Sequence, residues 1–244
     1  MNNKIAIQIK DLTVTYNIKP VLWDIDIDFF QSSLTAIVGP NGAGKSTLIK
    51  TMVELVPKIS GDISFYNQKY KQIRKKISYV PQRNSVDWDF PITVFDVVLM
   101  GRYGHLGWFK RPKQEDKKIA LQALKKVDML PFIKRQISEL SGGQQQRIFL
   151  ARSLAQQGEI YLMDEPFQGV DVQTEKKIIS VLKNLQKQNK TIIVVHHDLS
   201  TVKKYFNYIV LLNIQKIASG PIHHVFNEKN IKKTYSNQIL TKNK

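Results

Sequence analysis

A stretch of nine residues, 39–47, constrains this chain of 244 residues more than any other feature. It reads Gly-Pro-Asn-Gly-Ala-Gly-Lys-Ser-Thr and matches G-x-x-x-x-G-K-[ST], a pattern in which backbone N–H groups surround phosphate oxygens. The apolar run at residues 34–38 is typical of a short buried strand, and apolar residues recur at helical spacing over residues 48–56. A strand, a glycine loop and a helix in this order predict a phosphate-binding loop.

The residues of this loop have different expected roles. Its glycines allow the backbone to turn so that N–H groups point inward, and the helix that begins near Lys45 adds the positive end of its dipole. The Lys45 ammonium should reach the β- and γ-phosphates of a nucleotide, and the Ser46 hydroxyl should ligate Mg²⁺. An accidental glycine turn before a helix is the alternative reading of this stretch alone. The expected nucleotide contacts are Gly39, Pro40, Asn41, Gly42, Ala43, Gly44, Lys45, Ser46 and Thr47.

Composition limits the remaining possibilities. No apolar run approaches the ~20 residues that cross a bilayer, and the first residues lack the apolar centre of a signal peptide. There are no cysteines, so neither disulfides nor thiolate metal sites are expected, and we expect a soluble cytoplasmic protein. The net charge of +17 suggests nucleic acid, but the lysines are dispersed along the chain. Dispersed lysines argue against one dedicated patch and also fit an anionic membrane surface.

Alternating and apolar segments predict the strands around the loop. Residues 4–15 alternate and predict an edge strand that ends at Tyr16, whose ring is placed either to stack on adenine or simply to pack. Residues 21–30 predict a second alternating strand, and 61–65 and 76–80 predict two more. Gln82 lies just past the last of these, where a glutamine can ligate Mg²⁺ or hold the attacking water, although most such side chains are only solvated.

Residues 89–157 change to a helical pattern and predict a subdomain inserted into an α/β core. Thr93 begins one helix with a T-x-x-D cap, and residues 114–127 predict a second, basic helix. Ser141 and Gln144 form an S-x-x-Q capping box, so a third helix should run from residue 143 to about 157. Gly142 and Gly143 leave its first N–H groups uncovered by side chains, which predicts a second anion site without a lysine.

Two further apolar strands deliver titratable residues to the edge of the predicted sheet. The run 160–163 is followed by Asp164 and Glu165, of which one can serve Mg²⁺ while the other accepts a proton from water. The run 191–195 ends at His196 and His197, and a histidine at this edge can hydrogen-bond a γ-phosphate. Metal binding by this pair is disfavoured because neighbouring residues of an extended chain point to opposite sides.

The remaining residues predict a hairpin and a tail. Residues 208–212 and 215–219 predict a terminal hairpin, and the chain from residue 221 onward should be helical and then polar. His223 and His224 are expected to be solvated, with metal binding as the alternative.

Taken together, these stretches resemble the ATP-binding subunit of an ABC transporter over essentially the whole chain. The resemblance follows the chain order Tyr16, loop 39–47, Gln82, Leu140-Ser141-Gly142-Gly143-Gln144, Asp164-Glu165, Asp171 and His197. The five residues from Leu140 are its most specific element, because ordinary phosphate-loop enzymes lack them.

The resemblance implies a role for each residue. Glu165 corresponds to the catalytic base, Asp164 to the carboxylate on the Mg²⁺ side, and His197 to the sensor of the γ-phosphate. Asp171 matches a turn that contacts a second subunit, although residues 168–170 (Gln-Gly-Val) depart from the more usual Ser-Ala-Leu. The fold implied is an α/β ABC-type P-loop ATPase, with a mixed sheet core, an antiparallel β edge and an inserted helical signature subdomain. One such domain should cover residues 1–236 (core 1–88 and 158–220, helical subdomain about 89–157), with a polar tail at 237–244.

A finer resemblance is to the manganese, zinc and iron importers of bacteria. It rests on residues 80–91, 100–104, 107–112, 165–171 and 194–199. It implies ATP and Mg²⁺ as ligands, a two-fold dimer that sandwiches ATP, integral membrane permease subunits and, indirectly, an external metal-binding protein. The chain would lie peripherally on the cytoplasmic side of the cell membrane. Manganese is the first choice of metal, with zinc or iron as the alternative.

A soluble ABC ATPase that acts on nucleic acid or ribosomes is the rival reading. Chromosome-type members place a long coiled coil between the phosphate loop and the signature, whereas only about a hundred residues separate Lys45 from Ser141 here. Ribosome-type members usually carry two such domains in one chain. No specific nucleic-acid partner is therefore expected.

Overall fold

The computed structural model describes residues 4–86, 88–106 and 110–236. Its strands, numbered along the chain, are β1 (Ile5–Thr15), β2 (Pro20–Phe30), β3 (Leu34–Val38), β4 (Ser60–Phe65), β5 (Ile77–Val80), β6 (Ile160–Asp164), β7 (Thr191–Val195), β8 (Tyr208–Asn213) and β9 (Gln215–Pro221). Its α-helices are α1 (Lys45–Met52), α2 (Tyr70–Ile73), α3 (Val94–Leu99), α4 (Gln114–Lys126), α5 (Gly142–Ala155), α6 (Val172–Lys187), α7 (Leu199–Tyr205), α8 (Ile222–Val225) and α9 (Glu228–Tyr235).

The chain divides into two compact units, one formed by residues 1–74 with 191–244 and the other by residues 75–190. In the first unit, β2, β1 and β4 form an antiparallel sheet, and β7, β3, β8 and β9 lie side by side in a mixed arrangement. Strand β3 is parallel to β7 and β8, whereas β9 is antiparallel to β8. The predicted terminal hairpin is therefore present. That residues 1–236 are one ATPase domain stays a prediction.

Strand β1 corrects one expectation. The alternating pattern over residues 4–15 predicted an edge strand, and this prediction is wrong because β1 is the middle strand of its sheet. Ile9 lies opposite Ile27 of β2 on one side and opposite Ile63 of β4 on the other. Alternation reports that one face of a strand is buried and the other solvated. It does not report how many neighbours the strand has.

Strand β3 positions the phosphate loop in the first unit. All five of its residues are buried, as are all five of β7, which fits parallel strands that are covered on both faces. Ile37 is paired with Val195, so the residues that follow β3 and β7 emerge side by side at the carboxyl edge of the sheet. Open α/β sheets place their ligand sites at this edge.

The second unit combines the parallel pair β5–β6 with helices α3 to α6. The Thr93 hydroxyl accepts a hydrogen bond from the Asp96 N–H at 3.2 Å, so α3 begins with the predicted cap. Arg102, which is buried, donates to Asp116 Oδ1 at 3.0 Å and to the Ala155 carbonyl at 2.8 Å. This guanidinium joins the turn after α3 to the beginning of α4 and the end of α5. A hydrogen bond from the Lys113 N–H and the Arg102 guanidinium lower the pKa of Asp116.

The helices of the described ranges are all too short or too polar to cross a lipid bilayer.

Candidate functional site

The loop between β3 and α1 depends on its glycines. Gly42 and Gly44 have φ angles of 79° and 87°, in the left-handed region that side chains rarely adopt. A Cβ at Gly44 would also lie 2.7 Å from the Val21 carbonyl oxygen, and a Cβ at Gly39 would lie 1.9 Å from the Leu212 carbonyl oxygen. The neighbouring backbone therefore excludes a side chain at both ends of the loop.

Lys45 and Tyr16 lie against this loop. The Lys45 ammonium donates to the carbonyl oxygens of Gly39 and Pro40, both at 2.8 Å, and the side chain is buried. Tyr16 is 58% exposed, and its hydroxyl is 3.3 Å from Thr47 Oγ1. Tyr16 thus lies at the surface beside the loop, and its stacking on adenine stays a prediction.

The two histidines after β7 differ in burial, although their ring centroids lie only 5.9 Å apart. His196 is 1% exposed, and its Nε2 is 2.8 Å from Thr201 Oγ1, whereas His197 is exposed. Burial, together with the neighbouring His197, lowers the pKa of His196 to about 4. The predicted phosphate sensor is thus the more accessible residue of the pair, and it emerges from the strand that adjoins the strand before the phosphate loop.

In the second unit, Gln82 and Glu165 meet. Val80 is paired with Met163 across β5 and β6, and each functional residue follows two positions later. The Gln82 side-chain amide donates to Glu165 Oε2 at 3.0 Å. Glu165 has a φ of 52°, an uncommon value for a residue with a side chain. Sequence reasoning named both residues but did not predict their hydrogen bond.

Asp164 is fully buried, whereas Glu165 is partly exposed. The two carboxylates therefore lie in different environments. Burial, and secondarily the charge of Asp164, raises the pKa of the Tyr79 hydroxyl on β5 to about 12. Tyr79 therefore stays neutral throughout the physiological pH range.

The signature residues begin α5. The Ser141 N–H donates to Gln144 Oε1 at 2.9 Å, and Ser141 Oγ accepts from the Gln144 N–H at 3.4 Å, so the predicted capping box is present. The helix begins at Gly142 and ends at Ala155, slightly earlier at both ends than predicted. Gly142 and Gly143 are its first two residues, so neither adds a side chain of its own to the first turn.

Arg83 is a neighbour of the signature that sequence reasoning missed. Its Nε donates to Gln145 Oε1 at 3.1 Å, and a Cβ at Gly142 would lie only 2.8 Å from the guanidinium carbon. A guanidinium beside the positive end of a helix strengthens the attraction for an anion. The available signal was its position directly after Gln82.

Asp171 caps α6. One oxygen of its carboxylate accepts from the backbone N–H groups of Gln173 and Thr174, both at 2.9 Å, and the other accepts from the Thr174 hydroxyl at 2.7 Å. Hydrogen bonds from Thr174 are the main reason why the pKa of Asp171 is lowered. The predicted contact of Asp171 with a second subunit stays a prediction. Of the residues that carried the finer resemblance, Asp87 and residues 107–109 lie outside the described residues.

The donor types fit ATP and Mg²⁺. The first unit offers the loop N–H groups, the Lys45 ammonium and the Ser46 hydroxyl. The second unit offers the buried Asp164 carboxylate and the Gln82 amide. Hydroxyl, amide and carboxylate oxygens are the ligands that Mg²⁺ prefers, and glycine N–H groups with an ammonium suit polyphosphate.

The chain is similar to known proteins over most of its length. Residues 22–168 match the family described as ABC transporter. The chain is 55% identical over 233 residues to the manganese transport system ATP-binding protein MntB of Bacillus subtilis, with 96% of this chain and 93% of that protein covered. It is 52% identical to the zinc transport system ATP-binding protein TroB of Treponema pallidum, with 96% and 88% covered.

Solved structures of ABC proteins have a similar fold. A metal-chelate type ABC transporter in an inward-facing conformation has a TM-score of 0.83 and 30% identity, with 96% of this chain and 89% of that chain covered. The cassette MJ0796, solved as a dimer bound to ADP and phosphate, has a TM-score of 0.78 and 27% identity, with 88% and 98% covered.

Proposed function

Since this chain belongs to the ABC transporter family, as one of its ATP-binding proteins, we propose that it hydrolyses ATP to drive import of a divalent transition metal through a partner permease. Manganese is our first choice, and zinc or iron is the alternative. The observation that carries the proposal is the complete set of ATPase residues on a chain that is 55% identical, over nearly its whole length, to a manganese transport ATP-binding protein. The likeness to a zinc transport protein at 52% identity keeps zinc open.

The first unit binds the nucleotide. Glycine N–H groups of the loop and the Lys45 ammonium hold the phosphates, and the exposed ring of Tyr16 stacks on the base. His197 donates a hydrogen bond to the γ-phosphate. Bound Mg²⁺ supplies positive charge that offsets the negative charge of the transferring phosphoryl group.

The second unit supplies the carboxylates. Glu165 accepts the proton of the attacking water, and the Gln82 amide orients the Glu165 carboxylate through the 3.0 Å hydrogen bond. Asp164, buried beside it, would serve Mg²⁺. These roles divide one pair of adjacent carboxylates between a metal ligand and a base.

The anion site at the beginning of α5 supports a dimer. The Ser141 and Gly143 N–H groups of one copy would face the γ-phosphate that Lys45 of a second copy holds, so that two identical surfaces bind two nucleotides. ATP would then bind fully only to the closed dimer, and hydrolysis would release it. A solved dimer of a related cassette supports this arrangement.

The chain would work at the cytoplasmic face of the membrane, bound peripherally to permease subunits, with an external binding protein delivering the metal. Phe90 is our candidate for permease contact because its side chain is 58% exposed. Trp88 has a different role. Its Nε1–H donates to the Arg83 carbonyl at 2.9 Å, and its ring meets that of Phe149 edge-on at 4.9 Å. Trp88 therefore packs the segment from which Phe90 projects.

Metal uptake tests the proposed function. Cells that lack this chain should lose uptake of radioactive manganese, and the wild-type chain should restore it. Lys45→Ala should not restore it, because an anionic phosphate cluster loses its closest cation and ATP affinity falls. Lys50→Ala, on the same helix α1, is the matched control and should restore uptake. Loss of zinc uptake instead of manganese uptake would select the alternative metal, and unchanged uptake of manganese, zinc and iron would contradict the proposal.

Permease contact is tested separately. Phe90→Ala should keep its thermal stability and ATP binding but lose copurification with a membrane-spanning partner from detergent-solubilised membranes. Ile59→Ala, which removes an apolar side chain of similar exposure (65%) from the first unit, is the control. Tight, salt-resistant stimulation of ATP hydrolysis by nucleic acid would favour the rival reading, since non-specific binding by a polycation collapses as salt rises.

A further inference from the structure

We propose that Thr201, acting through His196 and Asp198, is a positioning residue that fixes the orientation of His197 and so sets the rate of ATP hydrolysis. This inference rests on the role of His197 proposed above. Thr201 lies in the first turn of α7 and belongs to none of the sequence motifs.

One hydroxyl holds both chain neighbours of His197. Thr201 Oγ1 is 2.8 Å from Nε2 of His196, the residue before the sensor. The same oxygen is 3.1 Å from Oδ2 of Asp198, the residue after it, and 3.2 Å from the Asp198 carbonyl oxygen. The three side chains thus close a ring of hydrogen bonds around the peptide unit that carries His197.

The two ends of this ring are themselves anchored. The His196 N–H donates to the Ile37 carbonyl of β3 at 3.0 Å, and the imidazole lies 5.3 Å from the Phe206 ring, centroid to centroid. Asp198 accepts from the Ser200 N–H at 2.9 Å and so caps α7. The sensor therefore sits between a fixed strand and a fixed helix.

Proton positions follow from the chemistry of the groups. A hydroxyl has one proton to donate, and the Asp198 carboxylate is its strongest nearby acceptor, so Thr201 accepts from the Nε2–H of His196. Burial keeps the pKa of His196 at about 4, with Asp198 opposing and the exposed His197 reinforcing that shift. The imidazole is therefore neutral at physiological pH, and the ring of hydrogen bonds does not change there.

The simpler reading is that Thr201 only helps to cap α7. Ser200 separates the two readings because its hydroxyl also donates to Asp198, at 2.7 Å, but does not reach His196. A pure capping role would make the two hydroxyls equivalent. A positioning role would make only the Thr201 hydroxyl matter for catalysis.

The experiment compares Thr201→Val with Ser200→Ala in the full chain, by kcat and KM for ATP. Thr201→Val keeps the side-chain shape but removes the contacts of the hydroxyl with His196 and Asp198, so it should lower kcat about fivefold with KM unchanged. Ser200→Ala should keep kcat, and Thr201→Ser, which restores the hydroxyl, should keep it as well. Thr201→Ala serves as a second variant if the valine variant does not fold.

A double variant tests whether Thr201 acts through His197. In His197→Ala, adding Thr201→Val should cause no further loss of kcat. Equal losses from Thr201→Val and Ser200→Ala, or a full fivefold loss in the His197→Ala background, would overturn the inference. Normal kcat in Thr201→Val alongside a large loss in His197→Ala would overturn only the positioning role. Normal kcat in His197→Ala would overturn the role of His197 as well.

Discussion

Strands β6 and β7 both end in two titratable residues, the first buried and the second more exposed. At β6 these are Asp164, which is 0% exposed, and Glu165; at β7 they are His196, which is 1% exposed, and His197. Each strand end can therefore anchor one side chain in the fold and present the next to a ligand.

The two strand ends differ in which of the two titratable residues is hydrogen-bonded by another side chain. Glu165 is itself hydrogen-bonded, by the Gln82 amide at 3.0 Å. At β7 the hydrogen bonds run instead through the buried His196 to Thr201 at 2.8 Å. As the proposed base, Glu165 has to aim one oxygen at water, and direct contact with its carboxylate serves that role. As the proposed phosphate sensor, His197 needs its ring nitrogens for the ligand, and support through its neighbours serves that role better.

Glu165→Gln, at the end of β6, should have the largest effect on the rate of ATP hydrolysis. The amide keeps the shape but cannot accept the proton of water, so kcat should fall about 100-fold, or about 2.7 kcal/mol, while ATP still binds. Turnover by the purified chain and ATP titration measure the two quantities. Glu159→Gln, a carboxylate of the same unit that pairs with Lys76 at the surface, is the control. Near-normal turnover in Glu165→Gln would remove Glu165 as the base.

His197→Ala, at the end of β7, should lower the rate of ATP hydrolysis by a smaller factor. It removes one hydrogen bond to a charged phosphate, worth about 2 kcal/mol, so kcat should fall about thirtyfold. ATP affinity should change less, because the phosphate loop remains. His223→Ala, which removes an exposed histidine elsewhere, should leave hydrolysis unchanged. Equal losses in both variants would contradict the sensor role.

Much of this arrangement was predictable, because it depends on local patterns. The phosphate loop requires glycines at fixed spacing, the capping box requires Ser141 and Gln144 three residues apart, and buried parallel strands require continuous apolar runs. Each signal lies within about ten residues of sequence. The structure confirms the resulting strands and the cap of α5.

What the sequence did not predict depends on contacts between distant segments. β1 has two neighbours because β4, some fifty residues later, pairs with it, and alternation carries no record of that. Arg83 reaches α5 across 62 positions to contact Gln145. No sequence pattern marks Thr201, because its contact with His196 forms only when the fold brings the two side chains together. Such contacts follow from tertiary packing, which periodicity does not encode.

Gln82→Leu tests the comparison of the two strand ends, because it removes the hydrogen bond from the Gln82 amide to Glu165. Without the amide the carboxylate loses its orientation, and kcat should fall about tenfold, the effect of one hydrogen bond to a charged group. Adding Glu165→Gln should then cost less than it does alone, because both changes act on one carboxylate. Kinetics at several Mg²⁺ concentrations distinguish this from metal ligation. If excess Mg²⁺ restores the rate of Gln82→Leu, then Gln82 acts on the metal rather than on Glu165.

Asp198→Asn should have the smallest effect and probes the charge at the β7 end. Asparagine caps helices about as well as aspartate, so at pH 7 the free energy of unfolding should change by no more than about 0.5 kcal/mol.

Hydrogen bonds from Ser200 lower the pKa of Asp198 in the folded protein. The lowered pKa means that this stabilisation is present above the ordinary carboxyl pKa and is lost as pH falls through the folded pKa. The wild type should therefore lose stability relative to Asp198→Asn on acidification below about pH 4. Urea unfolding of both proteins at pH 7 and pH 3 measures the difference, and a constant gap between them would show that the Asp198 charge contributes nothing to the fold at the end of β7.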